Sequence, residues 1–502
     1  MTLVVTTYGT VAGLPRQDHL AFLGIPYAAP AGGKARFRAP QPPVPWTGVR
    51  EAREPGYASP QSTHPIPGFA ASGPQSEDCL HLNVFTPAAA GRLRPVLFWI
   101  HGGGFTHGAG SELLYDGGPL ATRGDVVVVT INYRLGALGY AYLGHHLAGA
   151  GLAANAGQLD QIAALEWVRD NIAAFGGDPD NITIFGESAG AAAVGTLLAM
   201  PAARGLFRRA ILESGAGRAT APEAAARITD LLLDQLGLAR EEAAKLLDIP
   251  AKAIVEAQGT VVAKSRASGG LPFGPVADGV TLPAPPLTEI RSGAAAGIPV
   301  LIGTNRDEVK LFASTTRRDE PGEAALPSQV RASVPKATES DARALVETYR
   351  ASRHAKGLPD TNLDILDAIQ TDARFRIPAL RMALAQHEYQ AHTYAYLFTY
   401  ASPARHGALG SCHALEMPFV FGTLGAPTQD RFAGTGPDIE RLSANMMDAW
   451  LSFARTGSPG HEGIGPWPAY DAETRPTMLF DRTSTLAHDP FGEERAALEP
   501  FV

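Results

Sequence analysis

Cysteine is nearly absent from this 502-residue chain; Cys79 and Cys412 are the only two. So low a count excludes a disulfide framework and suits a reducing compartment. Long apolar runs are missing too, so no segment reads as a membrane span. The richest stretch, residues 125–147, is broken by Asn132, Arg134 and His145-His146. The first eight residues, Met1 to Tyr8, lack the basic n-region and A-x-A site of a leader and read as a first strand. A cytoplasmic location is the expectation. Positive charge is in deficit, at a net −8, and no basic stripe carries interleaved aromatics, which excludes nucleic acid as a partner. The adjacent His145 and His146 lack the carboxylate or cysteine spacing of a metal site and read as structural. No metal or cofactor is expected, and no internal repeat is visible.

What remains is a globular chain with material for a large core, 45% apolar and 18% charged. Residues 1–30 read as a meander of strands. Residues 39–76 are rich in Pro, Gly and Ser and read as an ordered loop layer. Residues 80–216 alternate strand and helix, the pattern that builds a parallel sheet. The strands fall at Leu80–Phe85, Val96–Ile100, Val126–Ile131, Ile182–Phe185 and Ala210–Glu213. A helix over Leu159–Phe175 has Ile162, Leu165, Trp167, Val168 and Ile172 at helical spacing. Residues 221–257 turn helical, Ile298–Gly303 returns as a strand, and residues 340–390 are helical again. His392–Tyr400 alternates like a strand, and Ile439–Ala454 reads as a late helix. The polar, proline-bearing residues 317–335 read as a mobile loop. The whole, residues 1–502, reads as one domain with helical insertions at about 220–292 and 310–390.

Gly186-Glu187-Ser188-Ala189-Gly190 is a G-x-S-x-G motif set between a strand-like Asn181–Phe185 and an apolar helix-like Ala191–Met200. A serine on so sharp a strand-to-helix turn exposes its hydroxyl and needs small residues two positions to either side. Ser188 is therefore a candidate nucleophile; its bland alternative is a helix cap. The oxyanion that a nucleophile creates needs donors. His101-Gly102-Gly103-Gly104-Phe105 follows the strand-like Arg94–Ile100, and glycines let backbone N–H groups approach a ligand closely.

A triad built on such an elbow runs Ser, acid, His along the chain. The loop after Ile298–Asn305 offers Asp307 and Glu308, and chemistry alone leaves both open. Seven histidines follow: His354, His387, His392, His406, His413, His461 and His488. His413 stands out because Gly410-Ser-Cys-His413 is a loop before an apolar run.

The chain resembles the type-B carboxylesterase family, which includes bacterial para-nitrobenzyl esterases, liver carboxylesterases and cholinesterases. The resemblance rests on segments along nearly the whole length, among them Gly24–Pro30, Arg36–Pro43, Glu77–Val84, His101–Phe105, Asn132–Gly136, Phe175–Gly190, Gly303–Glu308, His413–Glu416, Ala454–Pro459 and Trp467–Asp471. It implies an α/β-hydrolase fold, with a large, mostly parallel central sheet flanked by helices and an active-site gorge walled by the insertions. It puts the nucleophile on Ser188, the acid on Glu308, the base on His413 and the oxyanion donors on the amides of Gly103, Gly104 and Ala189. A structural salt bridge between Arg38 and Glu77 is expected by the same analogy. Secreted members pair a cysteine at the Cys79 position with an earlier one; no such partner exists here, so Cys79 should be a buried free thiol.

The implied activity is ester hydrolysis by acyl transfer, with a small-molecule ester as the partner and a monomer or weak homo-oligomer as the state. Glu187 reads either as a buried elbow carboxylate or as negative charge offered to cationic substrates. No Trp lies between Trp46 and Trp99, where cholinesterases carry the indole that stacks on quaternary ammonium, so neutral esters of small to medium acyl chain are expected. Cys412, beside His413, reads as a small filler or as a thiol whose modification would crowd the base. Rival readings are a carbamate or amide hydrolase on the same triad and a non-catalytic binding member of the fold.

Overall fold

A computed structural model describes residues 2–64, 66, 68–88, 91–266, 271–313 and 319–502. The chain groups into two compact units, Met1–Leu212 with Gly217–Pro299, and Glu213–Ala216 with Val300–Val502.

The first unit carries β1 (Thr2–Thr6), β2 (Gly9–Pro15), β3 (His19–Pro26), β4 (Val49–Glu51), β5 (His81–Pro87), β6 (Arg94–Ile100), β7 (Val127–Ile131), β8 (Gly177–Glu187) and β9 (Arg209–Glu213). Their order in the sheet is β1-β2-β3-β5-β7-β6-β8-β9, with β4 beside β2. Pairing is antiparallel from β1 through β7 and parallel for β7-β6-β8. Val96–Ile100 and Val127–Ile131 are fully buried. Both faces of these strands are covered, so their sequences are near-continuous apolar runs, Thr130 apart, rather than alternations. The helix Ala156–Asn171 packs on β8 and tightens into a 3-10 turn, Ile172–Phe175, before Gly176 ends it in the left-handed region at φ 84°. The five apolar residues singled out from its spacing are all buried. The proline-rich layer 39–76 is ordered at its described residues. Trp46 donates to the Thr10 carbonyl at 3.0 Å, and Ala58 bridges Gln75.

The second unit carries β10 (Val300–Asn305), β11 (Thr393–Phe398), β12 (Pro476–Phe480) and β13 (Thr485–His488). β10, β11 and β12 run parallel and β13 antiparallel to β12. Helix Glu339–Ala355 starts at a capping box of Thr338 and Asp341. Helix Asn362–Thr371 widens into a π-helical turn, Asp372–Arg376, before Ile377–His387 packs on β10 and β11. Of the expected mobile loop 317–335, residues 317 and 318 lie outside the described residues. The rest corrects the expectation: Leu326–Ser333 is a helix. Leu326 and Val330, four apart, are buried in one cluster with Leu345, Tyr349, Ile365 and Ile369.

Candidate active site

Strand β8 delivers Ser188 and helix Ala189–Leu197 leaves from it, so the serine sits at the turn with φ 56° and ψ −119°. A residue with a Cβ pays roughly 1–3 kcal/mol for such a conformation, which the surrounding structure must enforce. The enforcement is visible in the glycines. A Cβ on Gly186 would come within 2.7 Å of the Ile100 carbonyl, and one on Gly190 would run into that same oxygen. Only glycines allow β6 to lie so close beneath the elbow. Ala189 opens the helix, where amide N–H groups have no partner within the helix itself.

β6 ends at Ile100 and the glycine loop follows. Gly103 and Gly104 take φ 103° and 65°, and the Gly103 carbonyl accepts from the amides of Thr106 (3.2 Å) and His107 (3.0 Å). A Cβ on Gly102 would lie 2.7 Å from the Glu187 carbonyl and 3.2 Å from the Ser188 Cβ. The loop and the elbow therefore meet closely, with a Glu187 carboxylate oxygen 2.9 Å from the same point. Glu187 is buried against that contact, which fits its reading as an elbow carboxylate. His101 is buried on Tyr133, whose hydroxyl donates to the His101 carbonyl at 2.9 Å. Burial lowers the His101 pKa to about 4 against the opposing effect of the Gly102 carbonyl, so the ring stays neutral.

In the second unit, β10 ends at Asn305 and the turn that follows carries both carboxylates left open by the sequence. Glu308 Oε2 lies 2.6 Å from His413 Nδ1, and Glu308 Oε1 accepts the Asn305 amide at 2.8 Å. Asp307 instead accepts the Ser411 amide at 2.9 Å and faces Arg306 and Arg353. Burial opposes the charge on Asp307, yet Arg306, Lys310, the Ser411 amide and Arg353 outweigh it and hold its pKa below the usual value.

Three neighbours of this pair carried no role in the sequence reading. Glu416 is buried and accepts from Asn305 and, at 3.1 Å, from the Ser214 hydroxyl. Burial first, and the nearby Glu308 second, raise its pKa to about 7. Phe312 and Phe375 rest on the His413 ring at centroid distances of 4.9 and 5.1 Å. Phe375 stands on the π-helical turn, which no spacing rule reveals; His413-Ala-Leu-Glu416 was the one signal that pointed at Glu416.

One expectation changes. Glu77 pairs with Arg36, not Arg38: Arg36 Nε and Nη2 reach its two oxygens at 2.7 and 2.6 Å. The third arm of Arg36 caps the carbonyls of Leu246, Leu247 and Ile249. Arg38 binds the carbonyls of Lys34, Ala150 and Gly151 instead. Cys79 and Cys412 are free and buried, as anticipated for Cys79. Burial raises the Cys412 thiol well above its usual pKa, so it is a protonated filler that reagents reach only after local opening. His146 pairs with Asp230 at 2.7 Å, consistent with a structural role. No group of three or more metal-binding side chains occurs among the described residues.

The Carboxylesterase family model matches residues 1–498. The chain belongs to the carboxylesterase family. It is a carboxylic ester hydrolase with the α/β-hydrolase fold. It is 41% identical to the para-nitrobenzyl esterase of Bacillus subtilis (strain 168), over 99% of this chain and 98% of that one. It is 35% identical to the phenmedipham hydrolase of Pseudarthrobacter oxydans, over 96% of each. Among solved structures, a Geobacillus stearothermophilus carboxylesterase at pH 6.2 superposes with a TM-score of 0.88 at 44% identity, covering 99% of this chain and all of that one. No helix among the described residues is long and apolar enough to cross a membrane.

Proposed function

We propose that this carboxylesterase cleaves esters of small to medium acyl chain through an acyl-enzyme on Ser188, within a single hydrolase domain. His413 takes the Ser188 proton as the hydroxyl attacks the ester carbonyl. The amides of Gly103, Gly104 and Ala189 receive the charge that grows on the carbonyl oxygen. Glu308 keeps the imidazole in the tautomer whose Nε2 accepts, and stabilises the imidazolium. His413 then protonates the departing alcohol, and water attacks the acyl-enzyme with His413 as base again. No step calls on a metal or cofactor. The observation that carries this reading is the buried Glu308–His413 pair at 2.6 Å. A glycine loop packed on a strained serine elbow supports it. The match of one family model to residues 1–498 supports treating both compact units as parts of one domain.

The second reading, a carbamate or amide hydrolase on the same triad, is favoured by the phenmedipham hydrolase among the relatives. One experiment tests both. Purified protein is assayed on p-nitrophenyl esters from acetate to laurate, a phenylcarbamate and an anilide, before and after an aryl sulfonyl fluoride, with intact mass. Ester turnover lost together with a single adduct on Ser188 is the expected result. Turnover that survives with Ser188 modified would overturn the assignment, and a carbamate rate above every ester rate would favour the second reading.

A further inference from the structure

The hydrogen bond from His413 Nδ1 to Glu308 fixes one atom of the imidazole and leaves the ring able to swing about that contact. The outer torsion of a histidine is soft, with broad wells rather than three sharp ones. In the proposed reaction Nε2 takes a proton and returns it, and does so again when water attacks, so the ring has to come back to one place. A displacement of about 1 Å in such a group costs on the order of 10² in rate. Two phenyl rings supply the restraint that one hydrogen bond cannot. The centroids of Phe312 and Phe375 lie 4.9 and 5.1 Å from that of His413, with tilts of 44° and 49°. The two phenyl rings are parallel to within 6°, with centroids 6.4 Å apart. Three rings at these separations form a compact triangle, so the phenyl pair makes a corner in which the imidazole rests. Aromatic rings at such distances and tilts attract one another. Phe312 and Phe375 keep some exposure to solvent, whereas the His413 side chain has none.

The second unit builds this corner from two helical segments. Phe312 stands four residues after Glu308, on the short helix Val309–Ala313, so one turn of chain supplies both the acid and a ring to His413. Phe375 stands on the π-helical turn Asp372–Arg376. Ile369 and Ile377, to either side of that turn, are buried in one core cluster. Eight residues of straight α-helix would set them roughly 80° apart around the axis. The extra residue of a π turn brings them back to one face. Phe375, two residues before Ile377, then points to the opposite side, where it meets the imidazole. Polar contacts hold this arrangement. Asp372 Oδ2 accepts from the Tyr349 hydroxyl and from Arg376 Nη2, both at 2.6 Å. Thr371 Oγ1 accepts the Val309 amide at 3.3 Å, and Lys310 Nζ donates to Asp364 at 2.8 Å. The helix that carries Phe312 is thus tied to the helical run that carries Phe375.

We propose that Phe312 and Phe375 are positioning residues that hold the His413 imidazole for proton transfer, and that the π-helical turn is the device that delivers Phe375. This rests on the reading of His413 as the base and deepens it. Glu308 sets the tautomer and holds the Nδ1 edge; the two rings set the plane. A π turn is a less regular element than the α-helix it interrupts, and such turns recur at functional sites.

The test reads kcat and KM of Phe375→Ala and Phe312→Ala on p-nitrophenyl acetate and p-nitrophenyl octanoate, per folded molecule and well below each melting temperature. Phe375→Ala should lower kcat about 10- to 100-fold, by a similar factor on both esters and with KM changed less than about threefold. Phe312→Ala should act in the same direction. The proton that His413 Nδ1 shares with Glu308 should give a separate downfield proton resonance in the wild type, and that line should broaden or vanish in Phe375→Ala. Phe375→Tyr keeps the ring and should keep both the line and kcat to within about threefold. An unchanged kcat with an intact resonance in Phe375→Ala would overturn the proposal, even if the protein melts earlier, because the ring would then be packing alone. A loss carried by KM, or one that differs more than about tenfold between the two esters, would overturn it too, by making the rings a wall for the substrate. If Phe375→Ala does not fold, Phe375→Leu, which keeps bulk without a flat face, is read in the same way. Failure of the wild type to hydrolyse either ester, or a His413→Ala variant as active as the wild type, would count instead against the triad reading on which the proposal rests.

Discussion

His413 Nδ1 and Glu308 Oε2 lie 2.6 Å apart, and neither side chain exposes any surface to solvent. The adjacent carboxylate, Asp307, is turned to the Ser411 amide and the Arg306 and Arg353 guanidinia. Two neighbouring acids thus have separable jobs, one facing an imidazole and one facing cations.

Substitutions should separate them. Glu308→Gln removes the charge that selects the imidazole tautomer and should lower kcat by about 10⁴ with the fold intact. Asp307→Asn leaves the buried Arg353 and the half-buried Arg306 short of a counter-charge and should cost about 2–4 kcal/mol of stability, with kcat per titrated site falling far less. Active-site titration and urea unfolding of both variants check this. A larger kcat loss in Asp307→Asn would move the acid to that residue.

Gly102 tests the contact between loop and elbow. An alanine there would press its methyl to 2.7 Å from the Glu187 carbonyl and 3.2 Å from the Ser188 Cβ, so one of the two backbones must shift. Displaced oxyanion donors cost transition-state rather than ground-state binding. Gly102→Ala should therefore lower kcat by about 10²–10³ with little change in KM. A rise in KM at constant kcat would show that the loop serves substrate binding instead.

Glu77 offers a test in which the sequence analogy and the geometry disagree. The buried Arg36 grips both oxygens of the half-buried Glu77 and caps three carbonyls near residue 247. Arg36→Ala should destabilise by about 3–5 kcal/mol, the usual cost of breaking a buried pair. Arg38→Ala, which loses only exposed bonds to carbonyls, should cost less than about 1 kcal/mol. Thermal melts of the two variants decide between them.

What was legible in the sequence was whatever repeats or punctuates. The buried runs of β6 and β7, the spacing of the helix ending at Asn171 and the glycines around Ser188 are all local signals, and each is where it was expected. The choice between Asp307 and Glu308 was not local. It depends on which of two adjacent side chains turns toward a residue more than a hundred positions away, and spacing carries no such information. The shift from Arg38 to Arg36 has the same origin: both arginines lie in one short matching segment, and only the third dimension tells them apart. The helix Leu326–Ser333 was masked by its polar, proline-bearing flanks, although Leu326 and Val330 already had the spacing of a buried face.

Glu416 gives a prediction about pH with a defined sign. Burial, with Glu308 close by, raises its pKa in the folded state to about 7, against the ordinary value of 4.5; the Asn305 amide and His413 offset part of this. The folded state therefore prefers the protonated carboxyl. Its stabilising contribution is complete below about pH 4.5 and is lost as pH rises through about 7. Glu416→Gln keeps a neutral amide at every pH and should not lose that contribution. Relative to wild type, the variant should gain on the order of 1–3 kcal/mol between pH 5 and pH 8. Glu494, whose pKa burial likewise raises to about 7, acts in the same direction in both proteins and cancels in the comparison. Urea unfolding at pH 5, 6, 7 and 8 reads the difference directly. Parallel stability curves for the two proteins would mean that Glu416 is ionised at pH 5, and that the Ser214 hydroxyl and the Asn305 amide solvate its charge well enough to outweigh both burial and Glu308.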